Sequence, residues 1–87
     1  MTRFEGGDGS SIENAVKIIG ASGSMQGIRA EYEYLAGKFG IRGRDWELVM
    51  QSLLNDGGKD YDLMRVRLKD GTEITVFFDI TDFFGKL

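Results

Sequence analysis

The stretch YDLMRVRLKDGTEITVFFDI, residues 61–80, decides how this chain folds. Two runs of alternating apolar and polar side chains flank KDGT, and neighbouring strand residues point to opposite faces, so a β-hairpin is expected. Its loop length fixes which residues meet, because a slip of one residue turns every side chain over. A two-residue loop at Asp70–Gly71 would set Val66 against Thr75 and Arg67 against Ile74, mixing polar with apolar. A three-residue loop over 69–71, with Gly71 left-handed, sets Val66 against Ile74 and Met64 against Val76. It also sets Arg67 against Glu73 and Arg65 against Thr75. Only the second register satisfies both faces, and it is the one expected.

That register sends Ile74, Val76, Phe78 and Ile80 to one face, under a helix. Phe77 goes to the other face, opposite Leu63, with Tyr61 and Asp79 next along. Thr81 is placed to cap a last helical turn of Asp82, Phe83 and Phe84, ended by Gly85. Internal packing accounts for most aromatic residues in a small domain. The functional alternative is an exposed Tyr61–Leu63–Phe77 patch, extended by Phe83 or Phe84, that binds a protein partner or a second copy.

Upstream, Met25, Ile28, Tyr32, Leu35 and Phe39 share one stripe at helical spacing, and Gly40 sits where a C-cap belongs. DWELVMQSLL fits either a helix face or a strand. A strand over 46–54 is expected, because a third antiparallel strand gives the helix a sheet wide enough to cover. Ser10 and Glu13 have capping-box spacing, which places a turn at 10–14 before a strand at 15–20. Residues 1–9 read as a flexible, glycine-rich lead-in.

The expected architecture is a single α+β domain over 1–87. It is a two-layer sandwich with a three- or four-stranded, mainly antiparallel sheet (β-α-β-β-β) and one helix packed on one face. Its expected core is Ile28, Tyr32, Leu35, Phe39, Met64, Val66, Ile74, Val76, Phe78 and Ile80. A chain of 87 residues suffices for this, burying roughly 60–65% of its unfolded surface.

The chain has no histidine and no cysteine. That removes the usual general base near neutral pH, thiolate nucleophiles, disulfides and the commonest transition-metal ligands. A non-enzymatic protein is therefore expected, with no cofactor and no metal. The net charge of −3 argues against a phosphate backbone as main partner. No apolar run reaches membrane-spanning length and no signal-peptide pattern opens the chain, so a cytoplasmic protein without a membrane partner is expected.

Three constellations bear on chemistry. GASGSMQG joins a strand to a helix but lacks a phosphate-loop motif, and so reads as a connection. Asp56, Asp60 and Asp62 lack the spacing of a calcium loop and read as solvated turn and strand-end residues; Asp79 and Asp82 show no sign of a cleft. Arg42, Arg44, Arg65 and Arg67, near Trp46, Tyr61 and Phe77, have the ingredients of a single-stranded nucleic-acid platform, the alternative function.

FEGGDGSS, GIRAEYEYL and FDITDFFGK together resemble small uncharacterised bacterial proteins, a domain of unknown function with a C-terminal FDITxFFGK-like motif. The resemblance covers most of the chain. It implies a bacterial or phage setting and no activity, ligand or site. The favoured function is a protein-interaction module, a homodimer or a small inhibitor, binding through Tyr61, Leu63, Phe77, Phe83 and Phe84.

Overall fold

The computed structural model describes residues 2–85. Its elements run β1 (Arg3–Gly6), β2 (Val16–Ile19), α1 (Ser24–Phe39), β3 (Trp46–Asp56), β4 (Lys59–Leu68) and β5 (Glu73–Asp79). The fold is α+β. One sheet has the order β1-β2-β5-β4-β3, with five strands where three or four are expected from sequence. All neighbours are antiparallel except β2 and β5, which run parallel through Val16–Phe78 and Lys17–Asp79.

The β4–β5 hairpin adopts the expected register: Val66 faces Ile74, Met64 faces Val76, Arg65 faces Thr75 and Arg67 faces Glu73. Leu68 N–H donates to Thr72 O at 2.7 Å, and Gly71 turns the loop with φ 92°. A side chain is strained at such a φ, which is why glycine stands there. DWELVMQSLL is a strand, extended to eleven residues, with its pairing shifted by a bulge between Leu48 and Met50.

The additional strand comes from the segment expected to be a flexible lead-in. Arg3–Gly6 pairs with β2 as the sheet's outer strand, and Phe4 meets Tyr34 edge-to-face at 5.2 Å. Beyond it, Phe77 N–H donates to Gly9 O at 2.8 Å, so the loop before β2 docks beside β5. No capping box forms at Ser10. Its amide instead donates to Asp8 Oδ1, and Asn14 N–H closes the turn on Ser11.

The core lies between α1 and the sheet. Val16, Ile18, Leu35, Met64, Val66, Val76, Phe78 and Ile80 are buried, with Tyr32, Phe39 and Ile74 packed against them. Burying a side chain the size of Phe78 contributes about 2–3 kcal/mol. The helix is rotated from the expected stripe: Met25 and Ile28 are exposed, while Gly27, Ala30, Glu31 and Leu35 face inward. Small residues let the helix approach closely, and the Phe83 ring fills the space a Cβ at Gly27 would need. Trp46, also buried, donates its indole N–H to Gly40 O at 2.8 Å and ties the helix C-terminus to β3.

Candidate functional site

A groove of about 630 Å³ opens on the helix side of the sheet, between the first half of α1, the middle of β3 and the turn after β5. Ile28, Leu53, Ile80, Phe83 and Phe84 form its apolar walls, and Glu31, Gln51 and Asp62 its polar floor. Each arrives for a local reason. Glu31 stands one turn from both Gly27 and Leu35, on the helix stripe that meets the sheet. Asp62 alternates in phase with Met64 and Val66 and pairs with Phe78, so it points inward.

The two carboxyls are 1% and 2% exposed. Burial is the main force raising the Glu31 pKa from 4.5 to about 10, followed by its hydrogen bond to Asp62 and the repulsion of Asp62's charge. Glu31 therefore keeps its proton at neutral pH. Gln51 supplies a further donor, from Nε2 to Asp62 Oδ2 at 2.8 Å. Glu31 Oε2 and Asp62 Oδ1 are buried and have no hydrogen-bond partner among the described residues. Asp62 is thus no solvated strand-end residue.

The sequence-predicted contact residues do not form one surface. Leu63 and Phe77 are cross-strand partners on the outer face, both half-buried, and Tyr61 beside them is 6% exposed. Phe83 belongs to the core on the opposite side, at 2% exposure, and is corrected from contact residue to packing residue. Phe84, 45% exposed, stands at the groove. Its turn is held by Phe84 N–H donating to Ile80 O at 2.9 Å.

The four arginines are separately engaged. Arg42 stacks over the Tyr32 ring at 4.7 Å, and Arg44 pairs with Asp45 at 2.9 Å. Arg65 Nε donates to Thr75 Oγ1 at 3.2 Å, and Arg67 pairs with Glu73 at 2.9 Å. The Arg44 hydrogen bond, with the Ile41 amide behind it, holds the Asp45 carboxyl below its usual pKa. Asp79 accepts from the Thr81 hydroxyl and Asp82 from the Gly20 amide; contrary to expectation, both line one open depression, together with Lys17 and Lys59. Among the described residues no group of three or more acidic, histidine or cysteine side chains is placed to hold a metal, and no helix is long and apolar enough to cross a membrane.

The second distinctive surface is β3. It ends the sheet, so among the described residues one of its edges has no neighbouring strand, and Val49, Met50, Leu53 and Leu54 are exposed along it. Leu54 pairs with Tyr61 and Ser52 with Leu63, which joins the outer-face patch to this edge.

Compared with known proteins, the chain has no significant match to a family model, a curated protein or a solved structure. Sequence reading missed Glu31, Gln51 and Asp62 as a group. The signal for Asp62 was its phase: it occupies a core-facing position of the same alternation that fixed the hairpin.

Proposed function

We propose that this chain is a non-enzymatic protein-interaction module that pairs with a second copy of itself along the free edge of β3. The observation that carries this is the edge itself, eleven residues long with four exposed apolar side chains. An unpaired strand edge offers a row of backbone donors and acceptors to another strand, and proteins ordinarily blunt such edges with charge or proline. The bulge at Leu48/Met50 breaks the first part of the edge but leaves Met50–Asp56 regularly paired with β4. This segment has one charge, Asp56, at its far end.

Antiparallel self-pairing centred on Leu53 sets Gln51 opposite Asn55 and Met50 opposite Asp56, so no like charges meet. It also extends the Tyr61–Leu63–Phe77 face across the two copies. A cytoplasmic, bacterial or phage setting is part of the same proposal, and the resemblance of FEGGDGSS, GIRAEYEYL and FDITDFFGK supports it. The engaged arginines give no observation in favour of nucleic-acid binding.

Molar mass in solution tests the pairing. The expected value at micromolar concentration is twice the 9.7 kDa of one chain, falling to that of one chain for Leu53→Lys. Leu53→Cys, in a chain that otherwise lacks cysteine, should cross-link to its own copy on mild oxidation. A wild type that stays monomeric on concentration, or a Leu53→Lys variant that still dimerises, overturns the proposal.

A further inference from the structure

The groove described above shares Leu53 with the β3 edge, but its buried carboxyls, Glu31 and Asp62, take no part in that pairing. We infer that it is a binding site for an organic cation, an ammonium or guanidinium on an apolar stem, with the cation donating to the buried, partnerless oxygens of Glu31 and Asp62.

The charge balance selects the ligand. Two acidic side chains line the groove and, among the described residues, no basic one does, so an anion is disfavoured. A neutral donor could satisfy one oxygen, but two carboxyls buried side by side without a basic partner favour a donor that carries positive charge. Two carboxyls and one amide fall short of a cage for a hard divalent cation, which takes six or more oxygen ligands when calcium is bound. An ammonium or guanidinium carries several N–H donors and suits closely spaced carboxylate oxygens. Its stem would lie against Ile28, Leu53 and Phe84, and the volume of about 630 Å³ falls in the usual range for small-ligand sites.

No other charged side chain lines the groove among the described residues. From β3 come Gln51, Ser52 and Leu53; from β4, Asp62; from the last turn, Ile80 and two phenylalanines. When the cation enters, the Glu31 O–H bond breaks and its proton passes to the buffer, leaving two carboxylates around one positive charge. Binding is therefore coupled to proton release.

Calorimetry of the whole chain tests this with two probes: phenethylamine, as a free amine, and a blocked Phe-Lys dipeptide, as a partner's side chain. Either should bind saturably with an enthalpy that depends on the ionisation heat of the buffer. Affinity should rise by up to about tenfold per pH unit between about pH 6 and about pH 8. Tighter binding of the dipeptide would identify a protein partner as the source, and tighter binding of the amine a small molecule. Phenethyl alcohol, matched in shape and neutral, should not compete. Glu31→Gln and Asp62→Asn should each abolish binding while circular dichroism shows the fold retained. Binding of neither cation, equal binding of the alcohol, or affinity independent of pH overturns the inference, and these wild-type readings decide it even if both variants unfold. Since the β3 test reads mass and this one reads proton-linked heat, failure of one leaves the other standing.

Discussion

A methyl group added at Gly27 would enter the Phe83 ring, whereas one added at Gly37, on the same helix, would meet no heavy atom within 4 Å. The two glycines therefore predict opposite outcomes for one substitution. Gly27→Ala should cost about 1–3 kcal/mol by overpacking, and Gly37→Ala should gain about 0.5–1 kcal/mol from helix propensity. Urea denaturation of the two variants reads both, and shifts of the same sign would mean that Phe83 does not pack there. Glu31 gives a second prediction at this scale. Its folded pKa of about 10 stands above the unfolded 4.5, so the native chain holds a proton that the unfolded chain releases. The resulting stability is fully present below about pH 4.5 and is lost as pH rises toward 10. The slope approaches about 1.4 kcal/mol per pH unit for one proton. Glu31→Gln should flatten that slope and be the more stable protein above neutral pH, as measured by denaturation across a pH series.

Among the elements, legibility followed from how locally each is specified. The β4–β5 hairpin could be read to the residue, because alternation and a glycine turn leave one register that satisfies both faces. The helix could be placed but not rotated: Met25 and Ile28 look like core by hydrophobicity, yet Gly27 and Ala30 win the interface by letting backbone and sheet approach. The element they accommodate, the turn carrying Phe83, comes from the far end of the chain, where no local pattern announces it. β1 was hidden for the opposite reason, since RFEG is short, polar and exposed throughout, and only its partner β2 makes it a strand. The groove was not legible. Asp62 breaks an apolar file and Glu31 breaks a buried helix stripe, but each anomaly makes sense only once the other is known to face it. The contact patch read from the hairpin placed Leu63 and Phe77 on the outer face together, and lost Phe83 because a tight turn carried that ring to the opposite side.

At the scale of the molecule, β5 joins two parts of different character. On one side β3, β4 and β5 form a meander of neighbours in sequence; on the other, β2 meets β5 in parallel through only two residue pairs, and β1 hangs from β2. Closing that parallel contact requires the ends of most of the chain to meet, and loop closure of that kind is entropically slow. The meander with its helix should therefore form in the rate-limiting step, and the N-terminal ribbon should dock after it. Ile18, fully buried on β2, reports on the late step. Ile18→Val should cost about 0.5–1.5 kcal/mol and appear almost wholly as faster unfolding, while Val66→Ala, in the meander, should slow refolding as well. A chevron analysis in which Ile18→Val slows refolding in proportion to its stability loss would place the parallel seam in the folding nucleus instead. If the ribbon does dock last, the chain transiently exposes the flank of β5 that β2 later covers, and the border of the folding intermediate moves from seven-residue β5 to four-residue β1 as the molecule is finished.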